Sequence, residues 1–352
     1  MMNENILIIG GYGTVGSVIS RHLSELFPNK IIVAGRDFPK AERLAKELNG
    51  RVSPVKFDVL TEKNSMILAH IRLVIMCVDQ KDTTFIENCI SNGIHYIDIT
   101  AENDFFKKVQ LLHEKALLNN AKVLLSVGLA PGISNLLAQN IINRSPNCTE
   151  VDLYVLLGLG EKHGDAAYKW TFGNIHSCYT VSTGPHSEQI KSFRRPQTTD
   201  LSGKRTFFSF NFSDQHILSK TTKVKKVMTR LAFDSRFLTN FIAALRMIGI
   251  TKIFNNPVIQ KALLFVLKNI SFGSNVFAVK AVATTSERKI RESVLIGHNE
   301  SLMTAYMTVL SVSELLDSPS KGGIFHIHEL VSDIPLFLEK LKEYDSSVTI
   351  QL

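Results

Sequence analysis

Apolar positions in the first 130 residues alternate between two kinds of run. ILII (6–9) is four consecutive strand formers, and the segment after it carries Val15, Val18, Ile19, Leu23 and Leu26 at helical spacing. The exchange then repeats. IIVA (31–34) precedes the helical FPKAERLAKEL, VKF (55–57) follows, and LVIMCV (73–78), HYIDI (95–99) and KVLLSV (122–127) complete six strands, with amphipathic helices over 83–91 and 104–119. Strands that are apolar at successive positions are buried on both faces, and helical crossovers make them parallel. The pattern predicts an α/β fold with a doubly wound parallel sheet.

Between the first strand and first helix stand Gly10, Gly11, Gly13 and Gly16, the last three in GxGxxG register. The first glycine of that pattern permits the tight turn, the second lets a pyrophosphate approach the backbone, and the third lets helix pack on strand. Free N–H groups at the helix start then meet negative charge. In the first βα turn of an alternating pattern, this predicts a dinucleotide site. The second strand ends in VAGRD. Gly35 occupies the place where an acid commonly holds a ribose hydroxyl, and the Arg36 guanidinium can clamp a 2′-phosphate, which favours NADP over NAD. The alternative is that Arg36 is a solvated loop residue and Asp37 holds the ribose. Asp58, just after the third strand, is either an adenine neighbour or a cap.

A chain of 352 residues suits two domains and can bury roughly three quarters of its unfolded surface. Apolar residues at 45% and charged ones at 20% exclude a disordered or low-complexity chain. Cys77, Cys89, Cys148 and Cys178 form no CxxC pair, which suits a reducing compartment. The N-terminus enters a strand without a basic segment or cleavage site, and no apolar run reaches membrane-spanning length, so the expected location is cytoplasmic. The formal charge of +8 is concentrated: residues 221–270 hold nine Lys and Arg against Asp234 alone.

GGYGTVG, VAGRD, KFDV, GIHYIDITAE and SVGLAPGISNLLA occur in the order and spacing of the saccharopine dehydrogenase (saccharopine reductase) family, which the first 140 residues resemble. IGHNESLMTAYMTVLSVSELL is similar, more loosely, to that family's returning helix. The resemblance implies a Rossmann domain (1–131), an inserted mixed α/β substrate and oligomerisation domain (132–297), and a C-terminal segment (298–352) that packs back on the first. It also implies a nicotinamide enzyme that reduces an imine between an aldehyde or keto group and an amino acid or amine, or oxidises the product. On this reading Gly10, Gly11, Tyr12, Gly13, Thr14, Val15, Gly16, Gly35, Arg36, Asp37, Asp58, Cys77 and Val78 bind cofactor. The turn Gly128, Ala130, Pro131, Gly132 lies beside the nicotinamide, with Gly132 offering amides at a helix start near Ile133. Pro-Gly also opens helices with no functional role.

Tyr96, Asp98 and Glu102 end the fifth strand, at the carboxyl edge where ligands gather in such folds, and are candidate catalytic residues. Asp98 or Glu102 could hold an amine or iminium cation, and Tyr96 could donate a hydrogen bond or be a packed ring. Strand alternation puts Tyr96 and Asp98 on one face. In YKWTFGN, Lys169 is a candidate proton donor and Trp170 a pocket wall; a solvated lysine and a core anchor are the plain alternatives. Arg194 and Arg195 are candidate carboxylate clamps. The histidines show no HxxxH or HExxH spacing, and no metal is expected. Nor is there a GxSxG elbow.

Residues 236–270 place Phe237, Leu238, Phe241, Ile242, Leu245 and Ile248 on one helical stripe, and Leu263, Leu264, Val266 and Leu267 on another beyond Pro257. A lid or subunit contact in a homodimer is the favoured role, over an in-plane membrane helix or a polyanion face; nucleic-acid binding is not expected. Two functions are carried forward: an NADP-dependent oxidoreductase acting on a small amino-acid-like substrate, and a non-catalytic dinucleotide sensor or scaffold.

Overall fold

The computed structural model describes residues 4–61, 65–161, 164–182, 186–269 and 273–352. The strands, in chain order, are β1 (Asn5–Ile9), β2 (Ile31–Gly35), β3 (Val52–Lys56), β4 (Ile71–Met76), β5 (His95–Asp98), β6 (Lys122–Leu125), β7 (Cys148–Leu157), β8 (Cys178–Ser182), β9 (Ser187–Lys191), β10 (Gln197–Asp200), β11 (Lys204–Ser209), β12 (Lys226–Phe233), β13 (Val276–Thr285), β14 (Ile290–His298), β15 (Gly323–His326) and β16 (Thr349–Gln351). The chain forms two compact units, Met1–Gly128 with Ser301–Ser332, and Leu129–Glu300 with Asp333–Leu352. The segment expected to return whole to the first domain is therefore shared: Ser301–Ser332 joins the first unit and Asp333–Leu352 the second.

In the first unit the strands run in the order β15-β6-β5-β4-β1-β2-β3, every pair parallel. The order reverses at β1, which is where a doubly wound sheet opens a ligand crevice at the strands' carboxyl ends. Leu7, Ile8, Val33, Leu73, Val74 and Ile75 are fully buried, as strands covered on both faces require. The six expected strands are present, and the seventh, β15, comes from the returning segment and pairs Gly323 with Lys122 through His326 with Leu125. The helix expected over 104–119 is two, Asn103–Gln110 and His113–Leu118, because the buried stripe Phe105, Phe106, Val109 gives way to Leu111 facing solvent.

Lys122 ties the returning helix Glu300–Asp317 to β6. Its buried ammonium donates to the carbonyls of Leu315 at 3.1 Å and Ser318 at 2.5 Å, groups left without partners by the end of the helix. The backbone N–H of the same residue donates to Nδ1 of His95, whose ring burial and nearby cations keep neutral, with its pKa down at about 4.

The second unit is a mixed sheet in the order β10-β11-β12-β7-β13-β14-β16, where only β12 and β7 are parallel. β8 and β9 form a separate antiparallel pair. The helix Ser134–Asn143 lies on β13, β14 and β7, and Ile334–Tyr344 packs on that helix. Tyr154, Leu156, Leu201, Phe207, Ala232 and Ala278 close one buried cluster. Among the described residues no helix is long and apolar enough to cross a membrane.

Candidate functional site

The turn after β1 is closed by its own backbone. Gly10 has φ +78°, and the N–H of Gly13 donates to its carbonyl at 2.9 Å. A β-carbon at Gly16 would stand 2.2 Å from the Gly10 oxygen, so the third glycine is what lets the helix Thr14–Leu26 begin against the turn. A β-carbon at Gly13, by contrast, would meet only that oxygen, at 3.2 Å, and otherwise open space. Gly13 is the N-cap without a side-chain cap bond, and the first turn holds no acid. The result is an exposed, bare helix N-terminus whose first amides point outward, the arrangement that holds a pyrophosphate. Ser20 secures the turn from below, donating to the Gly11 carbonyl at 2.9 Å, and Val78, after β4, packs on Gly10.

At the end of β2 the chain makes room for an aromatic ring. Tyr12 lies across Gly35, with ring atoms 2.4–2.6 Å from where a β-carbon would be. The Tyr12 hydroxyl accepts the N–H of Asp37 at 2.9 Å. Asp37 is the N-cap of Phe38–Glu47, accepting from the Lys40 N–H and pairing with its ammonium at 3.3 Å. Arg36 is exposed and has no hydrogen bond or ion pair among the described residues. Of the two charged residues here, the carboxylate is engaged by its own helix and the guanidinium is open to a ligand. Asp58 accepts the Leu60 N–H at 3.0 Å in the turn after β3 and caps no helix among the described residues.

Tyr96 and Asp98 share a face, and both are fully buried. Gln80 brings them together: its amide nitrogen donates to the Tyr96 hydroxyl at 2.8 Å and to Asp98 Oδ2 at 3.0 Å, while Asp98 Oδ1 accepts the Thr100 N–H at 2.8 Å. Burial pushes the Asp98 carboxyl up to about 7, against the donors that favour its charged form. The Gln80 carbonyl oxygen is buried with no hydrogen-bond partner among the described residues. These three side chains join the loops after β4 and β5 at the carboxyl edge of the sheet. With no exposed surface, Tyr96 and Asp98 hold those loops in place and do not themselves face solvent. Glu102 is exposed at the start of Asn103–Gln110. Cys77, half-buried just after β4, has its thiol pushed up by burial and by Asp98, which disfavours the thiolate.

Gln80 carries no sequence signal, since a glutamine in the loop after a strand belongs to no motif. The same holds for a chain at the ends of β6 and β15, where Ser126 Oγ meets His326 Nδ1 at 2.7 Å and His326 Nε2 meets the Gln110 amide at 2.8 Å. His326 ends β15, and His328 lies in the short helix Ile327–Leu330. Among the described residues no group of His, Cys, Asp and Glu is arranged to hold a metal.

In the second unit, the amide of Gly132 is not free for a ligand. It donates to Asn135 Oδ1 at 2.9 Å, and Ala130, Pro131 and Gly132 have non-helical backbone ahead of the helix at Ser134. Trp170 is half-buried against Phe210 (5.7 Å) and Phe212 (5.4 Å), the aromatic residues of FFSFNF. Lys169 is exposed with no partner among the described residues, and Arg194 is exposed. Arg195 is committed to Glu188 through both terminal nitrogens, which leaves it no fork to clamp a substrate carboxylate.

Residues 6–124 match the domain family described as saccharopine dehydrogenase NADP binding domain. The glutamyl-tRNA reductase of Methanosphaera stadtmanae is 32% identical over 121 residues, 34% of this chain and 25% of that protein. That of Methanococcus maripaludis is 42% identical over 62 residues, 18% of this chain and 15% of that protein. The chain thus spans a quarter or less of the length of these curated relatives. Over the whole chain, the structure of saccharopine dehydrogenase (L-Glu forming) from Saccharomyces cerevisiae superimposes with a TM-score of 0.70 at 12% identity, covering 99% of this chain and 100% of that one. Residues 6–124 thus match the saccharopine dehydrogenase NADP binding domain, and the chain as a whole has the fold of the yeast saccharopine dehydrogenase structure.

Proposed function

We propose that the protein is an NADP-dependent oxidoreductase of the saccharopine dehydrogenase type, acting on the C–N bond of an imine or secondary amine derived from an amino acid. The observation that carries the cofactor half is the pairing of a bare helix N-terminus at Gly13 with an unpartnered guanidinium at Arg36, while Asp37 caps its own helix. The glycine turn through Gly10, Gly11, Gly13 and Gly16 would hold the pyrophosphate, with Val78 against its floor. Arg36 would hold the 2′-phosphate, and Tyr12 would shape the adenosine end. When bound, the nicotinamide supplies two-electron chemistry, which needs no protein nucleophile.

The residues of this chain then have three tasks: to grip the phosphates, to fix the loops at the sheet's carboxyl edge, and to meet the substrate's charge. Gln80, Tyr96 and Asp98 do the second. Glu102 and Lys169, both exposed, are the candidates for the third. Support for the substrate class is the domain match together with the whole-chain fold; the glutamyl-tRNA reductases match over 34% of the chain or less and do not bear on the substrate. The test is NADPH oxidation across paired aldehydes or keto acids and amino acids. Turnover with at least one pair, reduced by Glu102→Gln or Lys169→Met, is the expected result. Tight NADPH binding with no turnover over a broad panel would favour a dinucleotide sensor or scaffold, a reading to which the full burial of Tyr96 and Asp98 lends weight.

A further inference from the structure

The helix Arg236–Met247 turns the wrong face outward. Its buried side carries Thr239, Ile242, Ala243 and Arg246, with Arg246 Nε donating to the Ser192 carbonyl and its terminal nitrogens meeting the His176 ring and carbonyl. Its solvent side carries Phe237, at 79% exposure, and Phe241, whose rings stack in parallel 5.8 Å apart. Met247 and Ile248 extend the apolar face, Ile248 at 70% exposure. Ile250, Ile253, Val258 and Phe265 on the next two helices, Ile250–Asn255 and Pro257–Asn269, are exposed as well. Surface helices normally place polar residues outward. So large an exposed apolar run marks a surface that meets something other than water.

Beside this face lies a cavity of about 240 Å³. Lys204, Arg205 and Arg236 line it with Thr198, Thr206 and Asn240, and its lining includes no carboxylate. Arg205 is braced by the carbonyls of Ser202 and Asp234, whereas Lys204 and Arg236 have no ion-pair partner among the described residues. Ser235 caps the helix and Arg236 follows at its first position, in a first turn without an acid. A cation at the positive end of a helix dipole, with two more cations beside it, is an unfavourable cluster until an anion enters.

Two helical positions connect the features. Arg236 and Asn240 line the cavity, and Phe237 and Phe241, one residue further on, form the adjacent stripe. We infer that this face docks the protein on an anionic phospholipid surface, with the aromatic stripe entering the interface and the Lys204–Arg205–Arg236 cavity receiving a headgroup phosphate. Charge selects this occupant over a second copy of the chain. From Ser235 through Ser286 the sequence holds no Asp or Glu, so isologous pairing of the face would lay cations against cations. A free phosphate would satisfy the cavity and leave the phenylalanines in water. Apolar side chains beside basic ones on an in-plane helix match a lipid interface on both counts.

The test is flotation of the full-length protein with vesicles of phosphatidylcholine alone, or containing about one third phosphatidylserine. Comigration with the anionic vesicles, at least about tenfold above the neutral ones, is expected. Phe237→Ser with Phe241→Ser, and separately Lys204→Ala with Arg236→Ala, should each abolish it while leaving the circular dichroism spectrum and NADPH affinity intact. Equal flotation with neutral vesicles, or none with either, overturns the inference. So does a sedimenting dimer that the double serine variant dissociates, or stabilisation by inorganic phosphate without flotation. NADPH affinity, measured on the same samples, tests the dinucleotide site independently.

Discussion

Tyr12 and Gly35 are complementary: the tyrosine ring occupies the space that any β-carbon on residue 35 would need, and its hydroxyl then holds the amide of Asp37. Packing by itself therefore accounts for the missing acid at the end of β2. Placing Asp at 35, the direct route to NAD preference, would expel the ring. Gly35→Asp is expected to cost about 1–3 kcal/mol of stability, as overpacked sites do, and to weaken both dinucleotides. Thermal unfolding and calorimetric titration with NADPH and NADH check it; a stable variant that binds NADH more tightly would refute the packing account.

On the proposed function, Arg36 separates the two cofactors. A charge-assisted hydrogen bond to a phosphate contributes about 1.5–3 kcal/mol, so Arg36→Ala should lower NADPH affinity by roughly ten- to a hundredfold. NADH affinity should be unchanged. Equal losses for both would assign the guanidinium to the adenine ring instead.

Asp98 predicts a pH dependence of stability. Its carboxyl rises from an ordinary value of 3.8 to about 7 because burial disfavours the charge, with the Asp79 carboxylate adding to the rise and the Thr100 amide, Tyr96 hydroxyl and Gln80 amide opposing it. An acid with a raised folded pKa binds its proton more tightly in the native state. Its contribution is complete below the unfolded value and is lost as pH rises through the folded one. Stability should fall by a few kcal/mol between about pH 4 and pH 7 from this group. Denaturant midpoints across that range should flatten in Asp98→Asn.

Lys122 joins β6 to the returning helix through two carbonyls. Lys122→Met keeps the stem and removes both bonds, leaving buried acceptors unsatisfied. A loss of about 1–3 kcal/mol in chemical denaturation is expected. NADPH affinity, measured at a temperature where the variant is folded, should hardly change.

The Arg195–Glu188 pair is exposed, and solvent screening leaves such pairs little to contribute. Arg195→Ala should therefore alter neither folding midpoint nor turnover. A specific rise in KM would restore the arginine to the substrate site and would mean that the pair opens on binding.

The parallel sheet and the glycine turn could be read from the chain alone because both are local. Runs such as ILII and LVIMCV state burial on both faces, and a glycine at 16 is required by backbone atoms six residues away. The residues that tertiary structure decided are those whose partners are distant. Arg195 looks like a clamp until Glu188 takes it, Gly132 like an open amide until Asn135 fills it, and Gln80 like nothing until Tyr96 and Asp98 close around it. β15 was illegible for the same reason: its pairing with β6 spans about 200 residues, and four residues carry no periodicity. Hydrophobic rhythm is written along the chain, whereas whether a polar group is spent or free depends on which neighbour folding brings to it.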